Sequence, residues 1–237
     1  MELNNILFID LETVSAESSY QNLDEKWQKL FETKMRYYRE REPEKSLEDL
    51  YEEKAAIYAE FGRIVCIGVG LFRNNQLRIK TFAGPDEELL LTDFFSILTS
   101  HFGNPERHGL CGHNIREFDI PYLCRRALMN GLQLPAPLQI AGRKPWELKH
   151  LLDTMEMWKF GDIKHFISLD LLSACLGLES PKSDIDGSQV GRVYYEEEDI
   201  DRIARYCAQD IWVTANVYLS FHQQAPIPFD QVVISEG

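Results

Sequence analysis

What this sequence lacks narrows its class before any motif is read. None of its five cysteines (Cys66, Cys111, Cys124, Cys175, Cys207) forms a C-x-x-C pair or a tight cluster with histidine. A zinc site or a disulfide framework is therefore not expected, and buried free thiols in a reducing compartment are the simplest reading. No apolar run approaches the ~18–20 residues of a membrane span. The opening Met1-Glu2-Leu3-Asn4-Asn5 has no basic stretch of a secretory leader. Internal repeats and low-complexity linkers are missing as well. The expectation is a soluble, cytoplasmic protein without a membrane partner, of open oligomeric state.

Basic charge is also scarce. Lys and Arg number 25 against 38 Asp and Glu, a formal net charge of −13. The deficit is uneven: residues 1–60 carry 8 basic and 15 acidic side chains, residues 61–183 carry 14 and 13, and residues 184–237 carry 3 and 10. This pattern excludes a broad basic surface for long duplex DNA, whose binding draws on many phosphate contacts. It leaves room for gripping a few nucleotides, above all where bound cations neutralise a site.

Apolar residues make up 44% of the 237, enough for a substantial core in one large domain or in a domain with one sizeable insertion. Residues 4–11 form a compact apolar run with β-branched and aromatic members, which predicts a strand. A second strand is expected over 63–72, turn residues at 73–76, and an alternating return strand over 77–82. Helical periodicity over 86–101 follows the Gly84-Pro85 break. Residues 108–113 predict a short buried strand, 117–130 a helix ended by Gly131, 148–154 a last strand, and 197–221 the clearest helix. Residues 15–61 between the first two strands are charged and aromatic; they predict two or three helices, because structureless loops of that length are rare in compact domains. The whole reads as one α/β domain over 1–237, a mixed sheet flanked by helices with the 15–61 helical insertion inside it.

Three acidic motifs stand out. Asp10 and Glu12 lie two apart on the first strand and project from one face together with Phe8. Two carboxylates side by side repel unless something positive joins them; a hard divalent cation is one solution, solvation at a strand end another. Asp119, in 112–123, opens a helix beside Pro121, where a carboxylate also suits the dipole. Tyr206 and Asp210 are i and i+4 on the late helix. If the three motifs meet at one sheet edge, four carboxylates can hold two divalent cations about 3.5–4 Å apart, the arrangement that clamps both oxygens of a phosphoryl displacement, and Tyr206 can position a water.

The order Asp-x-Glu, Asn-x-x-x-Phe-Asp-x-Pro-Tyr, Tyr-x-x-x-Asp resembles the exonuclease motifs of the DEDD superfamily in its tyrosine-bearing branch. Residues 114–122 resemble the second motif of the proofreading domain of family-B DNA polymerases. The chain from residue 4 to about 221 is similar to stand-alone bacterial proteins predicted to be 3′–5′ exonucleases, with an RNase H-like fold. The resemblance implies that Asp10, Glu12 and Asp210 hold one cation and Asp10 with Asp119 the other, as Mg²⁺ or Mn²⁺. It implies that Tyr206 orients the attacking water. The histidine branch places its His one residue further from the Asp, where this chain has Arg205. Leu11, Thr13, Asn114 and Phe118 fall where the family meets the terminal nucleotide, Phe118 equally as a core residue. The implied activity is release of nucleoside monophosphates from 3′ ends, of single-stranded DNA by preference. An exoribonuclease, an endonuclease or a silent nucleic-acid-binding module of the same fold are the alternatives.

Weaker features leave two readings each. Lys182, Ser183 and Ser188 suit either phosphate or an ordinary turn; Arg125-Arg126 and Arg143-Lys144 suit a strand backbone or solubility. Asp153 suits support of the site or a structural hydrogen bond, and His113 suits packing or a hydrogen bond better than a ligand role. The insertion's Tyr and Trp residues suit packing better than base stacking.

Overall fold

The computed structural model describes residues 1–162, 165–179 and 185–235. Its centre is a six-stranded mixed sheet of order β5-β4-β1-β2-β3-β6. The strands are β1 (Ile6–Ser15), β2 (Gly62–Arg73), β3 (Gln76–Ala83), β4 (Gly109–Gly112), β5 (Leu151–Asp153) and β6 (Val233–Ser235). β1, β2 and β3 pair antiparallel, with Asn74 and Asn75 in left-handed conformation at the β2–β3 turn. β4 and β5 run parallel to β1 and both stop level with its middle, an edge beside which Asp10 and Glu12 follow in β1 before it continues to Ser15.

Alternation along β1 sorts its side chains. Leu7, Ile9 and Leu11 face a core shared with α3 (Glu87–His101) and α4 (Asp119–Met129). Ile6 and Phe8 face the other way, into a core built with α5 (Thr154–Lys159), α6 (Leu169–Cys175) and α8 (Ile200–Phe221). Helices thus cover both faces, as expected. The insertion holds α1 (Glu25–Arg41) and α2 (Leu47–Lys54), started by Asp24 and by a Ser46/Asp49 capping box. Phe31, Met35, Leu50, Tyr51 and Phe61 make a core of its own there, and Tyr20 and Trp27 pack on it.

Several expectations need correction. β6 was not foreseen: its three residues are fewer than those of the apolar runs that identify the other strands, and it makes 148–154 not the last strand. The final helix begins at Ile200, because α7 (Val190–Arg192) runs into a π turn over Val193–Glu197 and Glu198 breaks off at φ +54°. All five cysteines are free, but Cys175 is exposed. Arg126 does not face a ligand: its guanidinium binds the buried Glu87 carboxylate and the Ala59 carbonyl. Glu87 also accepts from the Ile64 N–H, so this ion pair ties α4, α3, β2 and the end of the insertion together. Among the described residues no helix is long and apolar enough to cross a membrane.

Two glycines of β2 set how closely α8 can lie. A Cβ on Gly68 would sit 2.7 Å from Cys207 Sγ, and one on Gly70 would sit 2.5 Å from Ile211 Cγ2. Glycine inside a strand marks such a close approach. Gly70→Val is expected to lower unfolding free energy by about 1–3 kcal/mol through overpacking, read by urea denaturation. Arg126→Leu strands the Glu87 charge and should lower it by about 3–5 kcal/mol, a loss of stability and not of nucleic-acid affinity.

Candidate metal and nuclease site

The shared strand edge collects the acidic motifs. Asp10 and Glu12 emerge from β1 on the α8 face, past Phe8, beside a register irregularity in the β1–β2 pairing after Glu12. α8 crosses this face and brings Tyr206, Cys207 and Asp210. From the far side of β4, the loop after Gly112 leads into α4, whose first residue is Asp119. Asp119 is 4% exposed and accepts a hydrogen bond from the Leu11 backbone, which joins the first and second motifs directly.

The electrostatics are those of buried acids within range of one another, with Asp10 feeling both Asp210 and Asp119. Burial pushes the Asp10 carboxyl well above the usual range, and Asp210 and Asp119 push it further. Burial does the same to Glu12, helped by Asp10 and Asp210. Asp119 is raised to about 7, by burial first and then by Asp153. Asp210 also rises to about 7 by burial, against the lowering effect of the hydrogen bond from Tyr206. Among the described residues, no Lys or Arg forms an ion pair with any of the four. Desolvation and the three acids drive the Tyr206 hydroxyl upward as well, so it stays protonated and serves as a donor to Asp210.

One neighbour was not anticipated. The Cys207 thiol lies 3.4 Å from Asp10 Oδ2, and Asp10, Glu12 and Cys207 can bring ligand atoms within 4.8 Å of one another. The strand glycines opposite were the available signal, since they allow the helix bearing Cys207 to approach.

Other candidates fall differently. Leu11 is 6% exposed, its side chain in the core on the opposite face. Thr13 donates its hydroxyl to the Ala56 carbonyl at 3.0 Å, and Tyr122 donates to the same oxygen. Phe118 packs on the core edge with its ring 5.4 Å from that of Tyr122. Asn114 stands in the loop at φ +62°, its amide oxygen buried and without a hydrogen-bond partner. Ser188 is exposed and donates its N–H to Asp186, which caps a short turn, while Lys182 and Ser183 lie outside the described residues. His113 hydrogen-bonds Thr154 and the Ile167 carbonyl, each at 2.9 Å.

The sheet and its flanking helices define an α/β fold similar to a solved family B DNA polymerase from the hyperthermophilic archaeon Pyrobaculum calidifontis. The two superpose with a TM-score of 0.54 at 16% identity, over 93% of this chain and 26% of that one. The chain thus spans about a quarter of that polymerase, and what they share is the RNase H-like fold of its exonuclease domain. Residues 57–226 match the family described as predicted 3′-5′ exonucleases related to the exonuclease domain of PolB, and the chain belongs to that family. The matched span contains Asp119, Tyr206 and Asp210 and begins after Asp10 and Glu12, which β1 adds through the sheet. No curated protein matches the sequence.

The raised carboxyls carry a pH consequence. An acid whose folded pKa is raised binds its proton more tightly in the folded state. Its stabilising effect is therefore complete at low pH and is lost as pH climbs through the folded value. In chelator, Asp10→Asn should match the parent protein only at a pH below the ordinary Asp value of 3.8 and exceed it in melting temperature by a growing margin as pH rises toward 8, as read by calorimetry across that range.

Proposed function

We propose that the chain is a metal-dependent 3′–5′ exonuclease in which Asp10, Glu12, Asp119 and Asp210 hold two divalent cations, Mg²⁺ or Mn²⁺. One observation carries this reading: acids from β1, α4 and α8 are desolvated within range of one another, and among the described residues no Lys or Arg forms an ion pair with them. Such a group is stable when ionised only if cations join it. All four donors are carboxylates, the oxygen ligands that hard cations prefer. When bound, two such cations neutralise a phosphodiester, lower the pKa of a water and stabilise the leaving oxygen.

The protein's own residues would then divide the work. Asp10 stands between the other acids and would serve both cation positions. Glu12 and Asp210 would complete the nucleophile side, and Asp119 the other. Tyr206, a protonated donor, would orient the attacking water without acting as its base. Asn114 would meet the terminal nucleotide through its amide, and Phe118 through its ring edge. Leu11 and Thr13 would contribute through backbone alone, since their side chains are engaged. The acidic ends of the chain suit a short grip on a frayed end more than tracking of duplex DNA, and single-stranded DNA is the favoured substrate.

Oligonucleotides labelled at either end, in DNA and RNA versions, test the reading. With Mn²⁺ or Mg²⁺, a 3′-labelled DNA strand should release labelled mononucleotide first, and a 5′-labelled strand should shorten as a ladder. Mononucleotide released from the 5′ end of the 5′-labelled strand, or cutting of circular single strands, would reject it; faster RNA digestion would move the substrate to RNA. Asp10→Ala and Asp210→Asn should each lower the rate by at least about a hundredfold, and Tyr206→Phe by roughly a hundredfold with a smaller change in KM.

A further inference from the structure

The loop between β4 and α4 is held from outside by one buried carboxylate. Asp153 ends β5 and is 2% exposed. Its Oδ1 accepts from the N–H groups of Met155 at 3.0 Å and Glu156 at 3.3 Å, an ordinary cap for α5. The same oxygen accepts from the Asn114 N–H at 3.1 Å, and Oδ2 accepts from the Arg116 N–H at 3.1 Å. The last two bonds do nothing for α5. They fix a distant segment whose own ordering is unfavourable: Asn114 is left-handed and its amide oxygen is desolvated without a partner.

The rest of the loop is built on that anchor. The Asn114 carbonyl accepts from Glu117 and Phe118 N–H, and the Ile115 carbonyl accepts from Ile120 N–H, which delivers Asp119 at the start of α4. The Arg116 guanidinium clamps the carbonyls of Leu148 and Leu151, so Arg116 is tied to the β5 strand by backbone and side chain together.

We propose that Asp153 is a positioning residue of the acidic site: its carboxylate fixes the Asn114–Arg116 turn so that the Asn114 amide and the Asp119 carboxylate are presented to Asp10. It touches neither the reacting atoms nor a cation, and the role rests on the functional reading above. A carboxylate is required because both oxygens must accept. An amide in its place keeps the shape and one acceptor, and sets an N–H donor against another N–H donor.

Asp153→Asn separates this role from simple stabilisation. Hydrogen exchange should quicken in the peptide spanning 113–119, with the melting temperature close to that of the parent. Mn²⁺ titration followed by the loss of the free-ion electron paramagnetic resonance signal should show roughly 10–100-fold weaker binding of one ion. In an Asp119→Asn background the same change should weaken Mn²⁺ no further, because both substitutions act through one ligand. Unchanged exchange over 113–119 would overturn the proposal. So would unchanged Mn²⁺ affinity, or a loss that persists in full without Asp119. Parent protein that binds Mn²⁺ as described yet cuts no oligonucleotide would remove the nuclease reading and keep the positioning role; parent protein that binds no Mn²⁺ would remove both.

Discussion

Like charges forced together in a poorly solvated corner are the constraint around which this molecule is arranged. Carboxylates normally avoid one another, and burial alone favours their neutral form. Here a central strand carries two of them where its neighbours β4 and β5 stop, and two helices from opposite faces of the sheet each add another. The fold meets the repulsion partly with hydrogen bonds: Tyr206 to Asp210, Cys207 to Asp10, the Leu11 backbone to Asp119. None of these carries a positive charge. A corner of this kind is stable as anions only with cations in it, which is why the electrostatics and the family membership lead to the same chemistry.

The sheet makes the corner possible because its geometry is stiff. Parallel pairing of β1, β4 and β5 brings the ends of β4 and β5 level with the Asp10–Glu12 stretch of β1. Gly68 and Gly70 let α8 settle close to β1, and the Arg126–Glu87 pair holds α4 against α3 on the other face. Rigid supports of this sort matter because catalytic groups tolerate little displacement. The positioning role of Asp153 belongs to the same logic, since a carboxylate repelled by its neighbours must be held in place by bonds elsewhere.

Much of this was legible from residue order. A compact apolar run identified β1, the two-residue period of a strand placed Asp10 and Glu12 on one face, and i, i+4 spacing paired Tyr206 with Asp210. Pro121 marked where α4 begins. What was hidden depends on contacts that sequence spacing does not encode. β6 is three exposed residues paired to the edge of β3, a β-branched stretch too short to be told from a tail by its own pattern. Arg126 looks like any surface cation until Glu87 arrives from another helix. Thr13 follows Asp10 and Glu12 in the first acidic motif, yet its hydroxyl serves the insertion. Cys207 neighbours Asp10 only because glycines on a third element make room.

Crystals grown with Mn²⁺ and a short single-stranded oligonucleotide, read by anomalous scattering at the manganese edge, test the central claim most directly. Two peaks should appear within coordination distance of Asp10, one shared with Glu12 and Asp210 and the other with Asp119. Peaks elsewhere, or carboxylates that remain in contact with no ion between them, would contradict it.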